Sequence, residues 1–349
     1  MASHGHRKKR AQFDPSGVGN KNNNIFGLPF EVEESRLVFI PVPWDVTVTN
    51  TKGAAEGPRN IFSSSFQIDL YDPLVPGAWK AGMAMEQIDP AIISTNQQVR
   101  LQAEQVIRFL EDGGDVDENG HIQELIRSVN KACEYLALTL EKSTLQYLEN
   151  NQLPFMIGGD HSCTTGQIRA LARENEFGIL QIDAHADMRE DYQGFTHSHA
   201  SVMHHALGTE GVTQIVQVGI RELCNEEVQV ISQNHKKVKT YFDHDLHERL
   251  FEGEKWADIC TEIIEKLPDN IYITFDVDGL EPSLCPGTGT PVPGGLSFNQ
   301  AIYLLETAMK NGKRIIGADL VETGPTPLDG IVSCRILYRM AGMMIQSNE

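Results

Sequence analysis

The strongest constraint on the fold is an apolar stretch that runs without a break into ionisable residues at alternating positions. It covers residues 178–187, Gly-Ile-Leu-Gln-Ile-Asp-Ala-His-Ala-Asp. In an extended chain alternate side chains point to one face, so Asp183, His185 and Asp187 are predicted to project together. Two carboxylates and an imidazole in one place repel or share protons unless a cation lies among them. The stretch therefore predicts a strand that ends in a metal site.

Two further segments have the same design. Residues 271–278 form a β-branched and aromatic run that ends in Asp276 and Asp278, and the apolar run 155–157 leads through a glycine pair to His161. Together with the first stretch they supply four aspartates and two histidines. Four carboxylates balance the charge of two divalent cations, which a bridged two-metal site requires. Such an oxygen-rich set favours Mn²⁺-like ions over a structural zinc bound by thiolates.

These segments resemble the metal signatures of the ureohydrolase family, which contains arginase, agmatinase and formimidoylglutamase. The matching runs are Gly-Gly-Asp-His-Ser at 158–162, Asp-Ala-His-Ala-Asp at 183–187 and Phe-Asp-Val-Asp-Gly-Leu-Glu-Pro at 275–282. The resemblance implies two Mn²⁺ per subunit, with Ni²⁺ as the alternative. The implied ligands of one ion are His161, Asp183, Asp187 and Asp276, and those of the other are Asp183, His185, Asp276 and Asp278. Asp183 and Asp276 would bridge the two ions.

The same resemblance implies roles in catalysis and substrate binding. A hydroxide between the metals would attack the guanidinium carbon, with Asp187 as a catalytic ligand. Glu322 matches the glutamate that binds the guanidinium through charge-assisted hydrogen bonds, and the alternative is a structural carboxylate that caps or pairs near Arg335. His199 matches the histidine that binds substrate and protonates the departing amine. Asp45 matches a loop at the mouth of the site, where a turn-forming role is the alternative.

Predicted strands and helices alternate along most of the chain, which indicates βαβ units and a parallel sheet covered on both faces. The expected fold is a three-layer αβα sandwich of the arginase-like type with a mostly parallel central sheet. Residues 1–24 are polar and are predicted to form a mobile tail, and residues 25–349 to form a single domain. A helical segment around 71–150 is predicted as an insertion that either makes a subunit contact or narrows the pocket.

The formal net charge of −19 argues against nucleic acid and anionic membranes as partners. Six cysteines lie far apart without a Cys-x-x-Cys pair, which is typical of a reduced cytoplasmic setting. No apolar run approaches the ~18–20 residues of a membrane-spanning helix. The resemblance adds a homo-oligomer, a trimer or a hexamer, as the expected assembly.

The residues that follow Asp187, Met-Arg-Glu-Asp-Tyr, resemble bacterial and archaeal agmatinases more than arginases. The expected activity is therefore hydrolysis of the small cationic compound agmatine to putrescine and urea. Guanidine, guanidinobutyrate and guanidinopropionate are alternative substrates, because relatives with the same core hydrolyse them. The shape of the substrate pocket also stays undecided at this point, because residues 322–325 are Glu-Thr-Gly-Pro where the family usually has Glu-Val-Asn/Ser-Pro. Two other interpretations are a single-zinc deacetylase-type amidohydrolase and a non-catalytic subunit.

Overall fold

The computed structural model describes residues 4–349 of the chain. Within them, eight parallel strands form one sheet with the spatial order β2-β1-β3-β8-β7-β4-β5-β6. The strands are β1 (Leu37–Pro41), β2 (Met83–Met85), β3 (Leu153–Ile157), β4 (Phe177–Ile182), β5 (Val212–Ile220), β6 (Val238–Phe242), β7 (Asn270–Asp276) and β8 (Arg314–Val321). The sheet is rich in β-branched and aromatic residues and is buried except mainly along the edge strand β6, as expected for a parallel sheet with two covered faces.

Eleven α-helices connect or flank the strands in this part of the chain. They are α1 (His4–Gln12), α2 (Gly57–Ser65), α3 (Pro90–Glu111), α4 (Gly120–Glu149), α5 (Thr164–Ala172), α6 (Val202–Gly208), α7 (Asn225–Gln233), α8 (Asp243–Phe251), α9 (Trp256–Glu265), α10 (Phe298–Lys310) and α11 (Pro327–Gln346). No helix among residues 4–349 is both long enough and apolar enough to cross a bilayer.

The helices pack on both faces of the sheet. Two consecutive residues of β1 show that the faces belong to separate cores. Phe39 packs in the core under α2, α9, α10 and α11, and Val38 packs in the core under α3 and α4. A third apolar cluster lies under α5 and α6. The predicted three-layer αβα sandwich is therefore confirmed, and all strand pairs in the sheet are parallel.

The segment around 71–150 contributes β2 at the edge of the sheet and the two long helices α3 and α4. Helical structure in this segment was expected, whereas the three-residue strand β2 was not. The predicted polar tail contains α1, and just after this helix the Phe13 ring packs on Trp79 with centroids 5.2 Å apart. The mobility of residues 1–24 stays a prediction.

The strand register brings the ionisable motifs together at one edge of the sheet. Ile182 of β4 pairs with Phe275 of β7, so that Asp183 and Asp276 follow at the same level on adjacent strands. β8 lies between β7 and β3, and β3 leads into the glycine pair. The second glycine, Gly159, has no room for a side chain, since a Cβ there would lie 1.7 Å from the carbonyl oxygen of Trp44.

Candidate metal centre

Six residues gather at the carboxyl ends of β3, β4 and β7, and we call them the metal cradle: His161, Asp183, His185, Asp187, Asp276 and Asp278. In the first group, Nδ1 of His161 lies 2.9 Å from Oδ2 of Asp187, 3.1 Å from Oδ2 of Asp183 and 3.5 Å from Oδ2 of Asp276. The donor atoms of His161, Asp183 and Asp187 all lie within 4.8 Å of one another, as a shared cation would require.

A second group shares one carboxylate with the first. Nδ1 of His185 lies 3.0 Å from Oδ2 of Asp278 and 3.7 Å from Oδ1 of Asp183, and these three residues also offer donor atoms within 4.8 Å. Asp183 therefore directs one oxygen to each group. This is the arrangement of a carboxylate that bridges two ions.

The electrostatics of the cradle fit two divalent cations. Burial, reinforced by the charge of a neighbouring aspartate, raises the pKa of Asp183 and Asp276, and raises that of Asp187 to about 7. Within the described residues, buried Nδ1 of His161 has no well-aligned hydrogen-bond partner despite its three carboxylate neighbours. Carboxylates this crowded stay ionised only beside compensating positive charge, so the donor set fits a pair of metal ions.

His161 is held in place by a chain of hydrogen bonds behind it. Its Nε2 lies 2.7 Å from the hydroxyl of Thr274, which donates to Asp319 at 2.8 Å. Asp319 also accepts hydrogen bonds from Tyr272 at 2.6 Å and Thr164 at 3.0 Å. Partners of this kind orient a ligand histidine and fix which nitrogen faces the metal.

Asp183 is held by a chain of side chains that crosses three strands. Gln181 donates to its Oδ2 at 2.8 Å, Gln217 donates to Gln181 at 2.7 Å, and Thr240 donates to Gln217 at 2.7 Å. Sequence reasoning missed these residues. The available signal was a glutamine in the middle of an otherwise apolar strand, and it becomes informative only once β4, β5 and β6 are known to be neighbours.

Two of the candidate residues have a left-handed backbone, which is uncommon outside glycine. Asp187 has φ +54°, and its carbonyl accepts the backbone N–H groups of Met203 and His204 at 3.0 and 3.1 Å. Glu322 has φ +59°, and its N–H donates to the carbonyl of Gly159 at 2.8 Å. Strain of this kind is typical of functional sites, where surrounding contacts hold a side chain in one direction.

Glu322 lies next to the cradle and is only 4% exposed. Its Oε1 accepts the backbone N–H of His161 at 3.0 Å, whereas Arg335 donates instead to the carbonyl of Ile331 at 2.8 Å. Burial and the charge of Asp276 raise the pKa of Glu322 well above its usual value. No ion pair to this carboxylate exists within residues 4–349, so the buried group has no protein counter-charge and would ionise only beside a bound cation.

The residues after Glu322 explain the departure from the family's usual sequence. A Cβ on Gly324 would lie 2.0 Å from the carbonyl oxygen of Gly287, so the loop after β7 packs directly on this glycine. Thr323 is buried and donates to the hydroxyl of Ser333 at 2.9 Å. Thr323 and Gly324 therefore allow the loop after β7 to pack closely against this segment.

A cavity of about 400 Å³ opens over the cradle, with His185, Asp187 and His199 in its wall. Nδ1 of His199 lies 3.4 Å from the hydroxyls of Thr47 and Ser198. Burial and the nearby positive charges of His185 and His161 lower the pKa of His199 to about 3. The residues that form the cavity wall are Thr49, Asn50, His185, Asp187, Arg189, Tyr192, His199, Ala200, Glu222, Leu223, Cys224, Glu227, Thr290 and Pro291.

Asp45 does not belong to the cavity wall, because its carboxylate organises the loop after β1. Oδ1 accepts the side-chain amide of Asn96 at 3.0 Å, and the Asp45 N–H donates to the Asn96 carbonyl oxygen at 2.8 Å. Arg100 donates to the backbone carbonyls of Asp45 at 3.2 Å, Val46 at 2.9 Å and Val48. Helix α3 therefore braces a loop that supplies two residues to the cavity wall.

Helix α4 braces the second cavity loop, between β4 and α6, in the same way. Asn130 donates to the carbonyl of Gly194 at 2.9 Å and accepts the N–H of Thr196 at 3.1 Å. Glu134 pairs with Nε2 of His197 at 2.7 Å. The segment around 71–150 thus contacts two of the loops that shape the cavity.

Comparison with known proteins gives a consistent result. The arginase family matches residues 35–341. An N(1)-aminopropylagmatine ureohydrolase of Thermus thermophilus is 32% identical over 295 residues, which cover 84% of each chain. The agmatinase of Halalkalibacterium halodurans is 26% identical over 299 residues, 84% of this chain and 85% of the relative.

Among solved structures, the agmatine ureohydrolase of Thermoplasma volcanium is similar with a TM-score of 0.69 at 22% identity. The alignment covers 97% of this chain and 98% of that one, and it supports the fold. The family depends on a binuclear metal centre, which agrees with the cradle. From the family match and the two relatives together, this chain belongs to the arginase family and is a ureohydrolase that acts on C–N bonds other than peptide bonds.

Proposed function

We propose that this protein hydrolyses agmatine to putrescine and urea. The observation that carries the proposal is the buried Glu322 carboxylate, which lies beside the metal cradle without a cationic side chain of its own among residues 4–349. A planar guanidinium would supply the missing charge and two parallel N–H donors. Burial makes such a pair strong, because an unpaired charge in this position is costly.

The cradle residues are the proposed metal ligands, with Asp183 and Asp276 shared by both ions. When bound, two divalent cations supply a nucleophile from water at neutral pH and offset developing negative charge. The oxygen-rich donor set suits Mn²⁺, with Ni²⁺ as the alternative. Asp187 combines the roles of ligand and catalytic carboxylate, since it is the ligand of the first group that also faces the cavity.

His199 is the proposed proton donor to the departing amine. Burial and the charges of His185 and His161 lower its pKa, so the imidazole is neutral at pH 7 and would relay a proton that it first takes up. Because Nδ1 faces the hydroxyls of Thr47 and Ser198, Nε2 is the nitrogen available to the substrate. Asp45 contributes to substrate binding indirectly, by fixing the loop that carries part of the cavity wall.

N(1)-aminopropylagmatine is the second candidate substrate, because a relative 32% identical bears that activity in its name. Both candidates have a guanidinium at one end and a further cationic amine. The cavity of about 400 Å³ reaches the surface beyond the cradle and leaves room for such a tail. Guanidinobutyrate, in contrast, ends in a carboxylate.

The test is urea release by the purified protein after loading with Mn²⁺ or Ni²⁺. The panel contains agmatine, N(1)-aminopropylagmatine, arginine, 4-guanidinobutyrate, 3-guanidinopropionate and guanidine. The proposal expects the highest kcat/KM with agmatine. A maximum with guanidine or a guanidino acid would contradict the choice of substrate. Amide hydrolysis with one zinc per subunit would instead support a deacetylase-type enzyme. Inactivity on every compound would support a non-catalytic subunit.

A further inference from the structure

The cavity wall contains three acidic side chains, of which two are already engaged. Asp187 belongs to the metal cradle. Glu227 is buried, and its two carboxylate oxygens accept the backbone N–H groups of Met188 at 3.0 Å and Cys224 at 2.8 Å. Glu227 therefore ties the start of α7 to the loop after β4, next to Asp187.

The positive charge in the wall is also engaged. Nε of Arg189 lies 3.8 Å from Oε2 of Glu227, and its guanidinium lies over the ring of Tyr192 at 4.7 Å. Arg189 and Glu227 therefore offset each other's charge. The third acid, Glu222, therefore makes the electrostatic potential negative on its side of the cavity.

Glu222 is held in place by its backbone while its carboxylate remains accessible. Its N–H donates to the carbonyl of Ala184 at 3.1 Å, and it pairs with His185 in an isolated parallel bridge. The side chain is 66% exposed, and Oε2 lies 3.7 Å from Nε2 of His185. Within residues 4–349 this imidazole is the only ion-pair partner of the carboxylate, and the separation exceeds the length of a hydrogen bond.

The position of Glu222 relative to the metal cradle suits the amine end of a short guanidino amine. Nδ1 is the nitrogen of His185 that faces Asp278 and the second metal position, and Nε2 is the nitrogen that faces Glu222. The Glu222 carboxylate thus lies 3.7 Å beyond Nε2, on the side of the His185 ring opposite to the metal-facing Nδ1. A guanidinium bound at the cradle would place the far end of a four-carbon chain at a comparable distance.

We infer that Glu222 determines substrate specificity by binding the ammonium group at the far end of the substrate, an inference that rests on the proposed function. The carboxylate attracts a cationic tail and repels a tail that ends in a carboxylate. Attraction of one partner and repulsion of its competitor together give selectivity. Because the group is exposed, its contribution is moderate and screened by salt.

The experiment compares three guanidino compounds with the same four-carbon chain: agmatine, 1-butylguanidine and 4-guanidinobutyrate. The proteins are the metal-loaded wild type, Glu222→Gln and the control Glu226→Gln, which removes the same charge from an exposed residue outside the cavity wall. For Glu222→Gln we expect kcat/KM on agmatine to fall about fivefold, mainly through KM, as for a partly exposed ion pair. Activity on butylguanidine should stay constant, and activity on guanidinobutyrate should rise.

Each outcome has a distinct meaning. If Glu222→Gln lowers kcat equally for all three compounds, or releases metal, Glu222 orients His185 and the inference is overturned. If agmatine responds equally to Glu222→Gln and Glu226→Gln, general charge and not this residue sets the preference, which also overturns it. A wild type that releases no urea from any guanidino compound overturns the proposed function itself, whereas the first two outcomes leave that function standing.

Discussion

The metal cradle and the cavity wall share His185 and Asp187 but are otherwise built in different ways. Five of the six cradle residues are at most 5% exposed, and they sit on strand ends or the turns directly after them. The rest of the wall consists mainly of loop residues, several of which are partly exposed, and two of these loops are braced by α3 and α4. The difference indicates that the sheet fixes the chemistry, while loops and their bracing helices adjust which substrate enters.

The two regions should therefore respond differently to substitution. In the proposed metal site each carboxylate would compensate the charge of a cation, and the carboxylates lie close together, so one change should disturb the whole group. In the wall each hydrogen bond contributes separately and water can replace part of it. Changes in the cradle should abolish metal binding and activity together, and changes in the wall should alter KM.

The largest effect is expected from Asp183→Asn, because Asp183 directs one oxygen to each metal group. Loss of its charge should release both ions and lower kcat/KM about a thousandfold or more. Elemental analysis of the purified protein, with urea release in parallel, measures both effects. The control is Asp245→Asn in the exposed group of His244, Asp245 and Glu248, which should retain the metal content of the wild type.

If Asp183→Asn keeps two ions per subunit and near-normal activity, the shared carboxylate is not a bridge. A loss of metal in Asp245→Asn would mean that the exposed group also binds ions. Either result would remove the contrast between a buried, charge-balanced cradle and an ordinary acidic surface.

The second effect concerns His199, which lies in the cavity wall but has a chemical role in the proposal. His199→Ala should keep the metal content and lower kcat about a hundredfold, as expected for loss of a group that transfers protons. The control is His235→Ala, an exposed histidine between α7 and β6 that should leave kcat unchanged. Release of metal by His199→Ala would place this residue in the cradle instead.

Much of the cradle could be predicted from the sequence because its signals are local. Alternating acids and histidines after an apolar strand define which side chains share a face, and the carboxyl ends of parallel strands meet at one edge. Asp183 and Asp276 therefore come together from two general rules. The structure brings these strand ends together and adds the strand order, which was not predicted: β4 and β7 are neighbours, with Ile182 paired with Phe275.

The bracing of the wall could not be predicted, because it depends on contacts between distant parts of the chain. Asn96 and Asp45 are 51 residues apart, and nothing in an amphipathic helix distinguishes an asparagine that meets a loop from one that faces water. The Gln181 to Gln217 contact likewise requires knowledge of strand order. The spacing of residues in the sequence predicts which side chains share one face of a helix or strand, but not which part of the protein packs against that face.

The third effect tests the support behind the cradle. Thr274→Val keeps the shape of the side chain but removes the hydroxyl that links Nε2 of His161 to Asp319. The affinity for the more weakly held ion should fall about tenfold, as is usual for the partner of a ligand histidine. Titration of the metal-free protein with Mn²⁺ measures this. Thr213→Val, at the amino end of β5 and away from the cradle, is the matched control, and equal affinities in the two variants would contradict the role of Thr274.

The smallest effect is expected in the wall, from Asn130→Ala on α4. The change removes two hydrogen bonds to the loop between β4 and α6, at 2.9 and 3.1 Å, each contributing about 1 kcal/mol when formed. Because the loop retains its other contacts, KM for agmatine should rise about threefold with kcat and metal content nearly constant. Asn311→Ala, at the end of α10 and remote from both loops, is the control. If Asn130→Ala lowers kcat or metal content instead, the loop also supports the cradle. The cradle and the cavity wall would then not respond independently to substitution.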